Sequence, residues 1–148
     1  MAVTIRPVRT DDHADWLGLF TAYARFYRQD LSPETARIVW DWIHDPANPF
    51  WADLAIDGAG TAVGLVQYQL IHRSLGGSMT CYLSDLFTAP HARGLGAGRA
   101  LIDHVRGFAR DRGLPGVRWL TAEDNTTARA LYDSYAPASG FILYTLPS

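Results

Sequence analysis

Apolar residues along the chain change rhythm several times, and each change marks an element. Residues 3–8 alternate briefly and predict a short strand. Behind Thr10 or Asp11 as a cap, Trp16, Phe20, Tyr23 and Tyr27, joined by Leu17 and Ala24, recur at helical spacing. Ser32 followed by Pro33 reads as a second helix start, with Ala36, Val39, Trp40 and Ile43 as its stripe and a stop before Pro46. From Phe50 the period becomes two: Phe50, Ala52, Leu54 and Ile56 share a face, and Asp57-Gly58-Ala59-Gly60 turns the chain into a second strand reaching Ile71. Gly76-Gly77 turns it again, into a third long strand over 79–88 that stops before Pro90. A glycine-rich run then opens a helix with Leu101, Val105, Phe108 and Ala109 on one face. A strand over 116–122, a helix over 126–135 and a last strand over 140–146 complete the order βααβββαβαβ.

Composition narrows the functional classes. At 148 residues with 48% apolar and 12% aromatic side chains, one domain spanning 1–148 can build its core without metal or disulfide staples. No apolar run is long enough to cross a bilayer, and the start MAVTIRPVRTDD lacks the apolar stretch of a secretory leader, so a cytoplasmic protein with no membrane partner is expected. All thirteen basic residues are Arg. Without Lys, a Walker-type phosphate loop and Schiff-base chemistry are both excluded. Six Arg face nine acids in residues 1–74, a net of −3, and seven face six in residues 75–148, a net of +1. A pI near 6.2 argues against a nucleic-acid partner. The five His are scattered without metal-ligand spacing, so no metal is expected, and Cys81, lying mid-strand, reads as a packed thiol.

Arg93-Gly94-Leu95-Gly96-Ala97-Gly98, followed by Arg99, lies between a strand and a helix start. Backbone amides there lack intrahelical partners and the helix dipole adds positive potential, which together make an anion site. Glycine at 94, 96 and 98 lets backbone approach a phosphate closely. The dipole contributes only about 0.3–1 kcal/mol per charge, so direct N–H bonds must carry the affinity. The spacing is not a dinucleotide fingerprint, because Arg99 stands where a third glycine would be needed.

With its neighbours, the loop resembles the pyrophosphate loop of the GNAT family of N-acetyltransferases, R/Q-x-x-G-x-G/A. It follows Tyr82-Leu83-Ser84-Asp85-Leu86-Phe87-Thr88, where that family has its central strand, and precedes Asn125, Ala128, Leu131, Tyr132 and Gly140-Phe141, which resemble its N-x-x-A-x-x-L-Y and G-F block. The resemblance spans nearly the whole chain. It implies an α/β fold with a mixed, mainly antiparallel sheet flanked by helices on both faces, and acetyl-CoA as the acetyl donor. In this family the cofactor's pantetheine arm lies in a gap beside the central strand, so Leu86, Phe87 and Thr88 would bond it, and a backbone N–H there would hold the developing oxyanion. The loop from Arg93 to Arg99, with Asn125, Ala128 and Tyr132, would complete the cofactor site. Tyr132 would protonate the departing thiolate. Structural alternatives are a core tyrosine at 132 and a helix cap at 125.

An amine acceptor with a pKa near 10.4 is about 99.9% protonated at neutral pH, a handicap of roughly 4 kcal/mol on the nucleophile. Polyamine acetyltransferases, the branch this strand most resembles, have a Glu-Asp pair where this chain has Ser84-Asp85. The base is then Asp85, directly or through water, or Glu123, with an Arg-paired buried acid and a solvated or capping residue as their respective alternatives. Tyr23, Tyr27, Trp40, Ser84 and Asp85 are candidates for the acceptor pocket, the first three equally consistent with core packing. Acetyl would pass directly from donor to a primary amine, either a small cationic molecule or a peptide or protein amine. The rival is a non-catalytic acyl-CoA-binding module. Dimers are frequent in the family, so a homodimer is compatible. The stretch 133–139 is longer than the commonest family spacing and is expected to reshape the acceptor mouth or a dimer edge.

Overall fold

The computed structural model describes residues 2–148. Five strands form one sheet in chain order: β1 (Thr4–Pro7), β2 (Phe50–Ile56), β3 (Ala62–Arg73), β4 (Ser78–Thr88) and β5 (Val117–Arg118). β1 to β4 are antiparallel neighbours and β5 lies parallel to β4. Helices α1 (His13–Phe26) and α2 (Pro33–His44) bury Trp16, Leu19 and Val39 against Leu54, Leu65 and Phe87 of the sheet. On the other face α3 (Ala97–Asp111) packs Leu101, Ile102 and Val105 onto Val63, Val66 and Cys81. The sheet is thus mixed, mainly antiparallel and covered on both faces. Two-sided burial makes β2 and β3 nearly continuous apolar runs. It also makes Gln67 conspicuous, a 0% exposed amide in the middle of β3.

Local chemistry sets most boundaries where the sequence predicts them. Ser32 Oγ accepts from the Thr35 N–H at 3.1 Å with Pro33 at the first helical position. Asp57 Oδ1 accepts from the Ala59 and Thr61 N–H groups, both at 2.9 Å, closing the β2–β3 turn. The cap of α1 differs from expectation. Residues Thr10–Asp12 form a single 3₁₀ turn and the helix starts behind Asp12, not behind Thr10 or Asp11. The buried Asp12 carboxylate makes no cap bond to α1; it takes the Arg9 N–H at 2.7 Å and two Arg6 guanidinium bonds at 2.6 and 2.9 Å, which close the 3₁₀ turn ahead of the helix.

At the carboxyl-terminal end of the sheet, two predicted strands differ. The segment 116–122 is a ladder of two residues, Cys81↔Val117 and Tyr82↔Arg118, after which β5 leaves β4 while β4 runs on to Thr88. That divergence opens a gap along the outer side of residues 83–88. Helix α4 (Thr126–Asp133), two residues shorter than predicted, is capped by Asn125 Oδ1, which accepts the Ala128 N–H at 3.3 Å. Segment 140–146 forms no strand, because no ladder within this chain receives it. Among the described residues no helix is long and apolar enough to cross a membrane.

Candidate active site

The gap between β4 and β5 widens into a cleft of about 980 Å³, bounded by the glycine loop, by residues 86–88, by α4 and by Tyr23, Phe26, Tyr27 and Arg28 of the α1 end. On the loop side the backbone makes the site. Gly94 and Gly96 have φ of +92° and +78°, left-handed values that cost a side-chain-bearing residue strain, and a Cβ on either would meet no protein atom within 4 Å. The space a side chain would fill stays open in the cleft wall. Gly98 has a different reason: a Cβ there would come within 3.2 Å of Leu131, so this glycine lets α3 and α4 approach. The first intrahelical bond of α3 is Ala100 N–H to the Gly96 carbonyl at 3.0 Å, which leaves the Ala97, Gly98 and Arg99 amides as orphan donors. Leu95 departs from the expected row of amides. Its N–H turns back to the Ala92 carbonyl at 3.3 Å and its side chain packs on the α3-side core.

Opposite the loop, side chains make the site. Trp16 Nε1 donates to Gln67 Oε1 at 2.8 Å in the core, and Gln67 Nε2 donates to Asp85 Oδ2 at 2.8 Å. Because an indole N–H can only donate, it fixes the amide with its oxygen toward Trp16 and its NH₂ toward the carboxylate. The Tyr23 hydroxyl lies beside the same carboxylate. A β-bulge helps present this acid: Ser84 is the extra residue between the Tyr68↔Leu83 and Gln67↔Asp85 pairs, and its Oγ accepts from Gln69 Nε2 at 2.9 Å. Burial raises the Asp85 carboxyl above its ordinary range, while Gln67 and Tyr23 pull it partly back. Asp85 thus has no Arg partner in its hydrogen bonds, against the paired-acid alternative. The cleft wall in front of it is Tyr23, whose phenol burial and the adjacent carboxylate keep neutral.

Comparison with known proteins decides the family. Residues 16–135 match the acetyltransferase (GNAT) family. A D-amino-acid N-acetyltransferase of Saccharomyces cerevisiae is 30% identical over 143 residues, covering 96% of this chain and 89% of its own. The chain belongs to the GNAT family. An uncharacterized N-acetyltransferase of Bacillus subtilis is also 30% identical, over 97% of each chain. Among solved structures, an AAC(6')-Iy bound to a CoA-acetylneamine bisubstrate analog superposes with a TM-score of 0.85 at 17% identity, covering 100% of this chain and 99% of that one. A likeness at that identity shows shared fold, here the mixed sheet with helices on both faces.

GNAT enzymes use acetyl-CoA, and the residues fit such a donor: a cradle of amides left open by glycine at one end of the cleft, and an unpaired strand edge running from it. Leu86, Phe87, Thr88, Arg93, Gly94, Gly96, Ala97, Gly98, Arg99, Asn125, Ala128 and Tyr132 all line the cleft. The Arg99 guanidinium is engaged elsewhere, donating to Ser134 Oγ at 2.9 Å and lying 5.1 Å from the Tyr135 ring centroid, so its backbone is the part left for an anion. Tyr132 is half-buried edge-on to Trp119, with centroids 5.5 Å apart. Its hydroxyl, without a side-chain partner among the described residues, is pushed up to about 12 chiefly by burial. Tyr23 and Tyr27 line the cleft as anticipated. Trp40 does not: it packs among Trp16, His13 and His44 in the α1–α2 core. Glu123 is exposed and outside the cleft wall, its backbone carbonyl held by Arg129 at 2.8 Å. Trp16, Gln67 and Arg28 were not anticipated. Gln67 had a signal, a lone amide inside Ala62-Val63-Gly64-Leu65-Val66-Gln67-Tyr68.

Proposed function

We propose that this GNAT protein transfers acetyl from acetyl-CoA directly to the primary amine of a small molecule. One observation carries the reading: a single cleft joins the open amide cradle at Gly94, Gly96 and the α3 start to Tyr132 and to Tyr23 backed by Asp85. Acetyl-CoA supplies a thioester, an activated acyl group. The Ala97, Gly98 and Arg99 amides would hold its diphosphate, and the free side of β4 at residues 86–88 would bond the pantetheine arm as an added strand does. At the acceptor end, a neutral amine N–H faces the Tyr23 oxygen. As the nitrogen attacks, that proton passes to the phenol while Tyr23 hands its own to Asp85, so the tyrosine relays the proton and remains neutral. A carboxylate raised by burial takes a proton more readily than an exposed one. The Tyr132 hydroxyl, protonated far above neutral pH, gives its proton to the departing thiolate. Tyr132 and Asp85 are therefore the proton donor and acceptor, with no covalent enzyme intermediate, and Glu123 takes no part.

For the acceptor, support comes from two directions. The Saccharomyces relative is named for D-amino acids, and structures sharing the fold include aminoglycoside acetyltransferases. The chain's acidic N-terminal half favours approach of a cation, a property that polyamine-like acceptors share with aminoglycosides, whereas an amino acid is a zwitterion. Arg28, a cleft residue at φ +58°, offers a guanidinium to a carboxylate-bearing amine. A screen of polyamines, aminoglycosides, D- and L-amino acids and Lys peptides, reading CoA thiol release with product mass, tests the assignment. Release with one small-amine class supports it. Release with peptides alone gives a protein-amine enzyme, and CoA binding without release above hydrolysis gives the acyl-CoA-binding module; either overturns it.

A further inference from the structure

Helix α1 ends on a turn that normally belongs to glycine. The Arg28 N–H bonds the Arg25 carbonyl and the Gln29 N–H bonds the Ala24 carbonyl, both at 2.9 Å, the paired bonds that close a helix when the residue after its cap turns left-handed. That residue is Arg28, at φ +58°. Every other position with positive φ among the described residues is a glycine, which adopts such a backbone freely where a residue with a Cβ is strained. Nothing in the turn itself calls for an arginine. Strain kept at one position points to what its side chain does, and this side chain lines the cleft while joining none of the ion pairs found among the described residues. The two residues before it line the cleft as well. Phe26 and Tyr27 are 52% and 38% exposed, and with Tyr23 they form an edge-to-face row, each neighbouring pair of ring centroids 5.1 Å apart. Exposed aromatic surface on a concave wall beside a few polar groups is the make-up of a small-molecule site.

We propose that Phe26, Tyr27 and Arg28 select the acceptor, and that it is an α-amino acid with an apolar or aromatic side chain. This selection rests on the acetyl-transfer reading of the cleft and narrows its amine. With the amine at the Tyr23 oxygen, the Arg28 guanidinium takes the carboxylate, whose two oxygens match its fork of donors, and the apolar side chain lies on the Phe26 and Tyr27 rings. A polyamine or an aminoglycoside would bring a further positive charge to the place where this guanidinium stands. The residue that holds an amino acid thus turns away a polycation. The acidic N-terminal half draws in any ammonium from a distance, and the wall decides which one stays.

Acetyl transfer to phenylalanine of either hand, phenethylamine, alanine and spermidine, read by CoA thiol release, separates the contacts. In kcat/KM the faster phenylalanine enantiomer should exceed phenethylamine, which lacks the carboxylate, and alanine, which lacks the ring, by roughly tenfold or more each, with spermidine lowest. Arg28→Gly should cut the phenylalanine-to-phenethylamine ratio roughly tenfold or more, chiefly through the KM for phenylalanine, and should melt no lower than the parent because glycine relieves the turn. Phe26→Ala should shrink the phenylalanine-to-alanine ratio about fivefold and leave the carboxylate ratio in place. Equal use of phenylalanine and phenethylamine, or a preference for spermidine, would overturn the amino-acid assignment and leave acetyl transfer standing. Thiol release with none of the amines would overturn acetyl transfer itself and the selection with it. An Arg28→Gly variant that keeps the ratio but melts lower would make Arg28 a helix-end residue, and one that loses CoA affinity would give its guanidinium to the donor's phosphates; either overturns the assignment.

Discussion

The two ends of the cleft are built from different material. At the proposed donor end the exposed groups are backbone amides, and side chains matter mainly by being absent, as at Gly94 and Gly96. At the acceptor end the working groups are side chains held by side chains: Trp16 orients Gln67, Gln67 orients Asp85, and Asp85 backs Tyr23. A backbone site is specified by a few adjacent residues and tolerates variation around them. The side-chain site joins α1, β3 and β4, with Trp16 and Gln67 separated by 51 positions, so one substitution in the core reaches the chemistry.

Tyr132→Phe tests the end where the two meet and should give the largest change. In the proposed mechanism it removes the proton for the leaving thiolate but no packing, so kcat should fall about ten- to a thousandfold with CoA affinity nearly constant. Steady-state kinetics alongside calorimetry of CoA binding checks both halves; a lost affinity with intact kcat would make Tyr132 a binding residue instead. Next comes Gly96→Val. Nothing within 4 Å opposes the new Cβ, so the fold survives, but a β-branched residue at φ +78° carries about 1–2 kcal/mol of strain and fills ligand space. CoA affinity should drop roughly tenfold or more by calorimetry. Wild-type affinity would break the claim that the donor end is built by the absence of side chains.

That asymmetry also governs what could be read from the chain alone. The glycine loop, the Asn125 cap and the α4 stripe to Tyr132 are contiguous patterns whose physics is local, and they were legible with the fold order itself. Trp40 and Tyr23 carry equivalent helical-stripe signals, yet one packs beside Trp16 and the other faces the cleft; only the tertiary rotation of α1 and α2 separates them. Leu95 sits inside a legible motif but spends its amide on Ala92, a detail set by a 3₁₀ turn over Pro90–Ala92 just before the loop. Segment 140–146 has all the residues of a strand, and strand formation depends on a neighbour that periodicity does not show.

Gln67→Leu probes the acceptor end. It removes a donor that holds the Asp85 carboxyl down, so the carboxyl rises further and the acid limb of the kcat/KM profile should move to higher pH, with a few-fold loss at neutral pH and CoA affinity unchanged. Gln67→Glu should be worse, since two acids would share one site. If the limb stays in place while KM alone rises, Gln67 serves packing rather than the ionisation of Asp85.

The smallest effect belongs to the helix behind the donor loop. Although the loop itself is backbone, α3 is tied to the sheet by a charge: His104 Nε2 lies 3.3 Å from Asp53 Oδ2, and Asp53, 4% exposed, also accepts the Tyr68 hydroxyl at 2.6 Å. The bond to Asp53 raises His104 above its ordinary value near 6.5 in the folded protein. Its contribution to stability is accordingly complete below that value and fades as pH climbs through the raised one. With the imidazole 38% exposed, solvent screening keeps the contribution to about 0.2–1 kcal/mol, or roughly 1–3 °C in melting temperature. Calorimetric melting between pH 5.5 and 8.5 should therefore show His104→Asn less stable than the parent at the acid end and converging with it at the alkaline end. CoA affinity should not follow, because the Ala97, Gly98 and Arg99 amides stay where the α3 start puts them. If affinity did track the His104 titration, the donor end would depend on side-chain charge after all, and the contrast between the two ends of the cleft would fail.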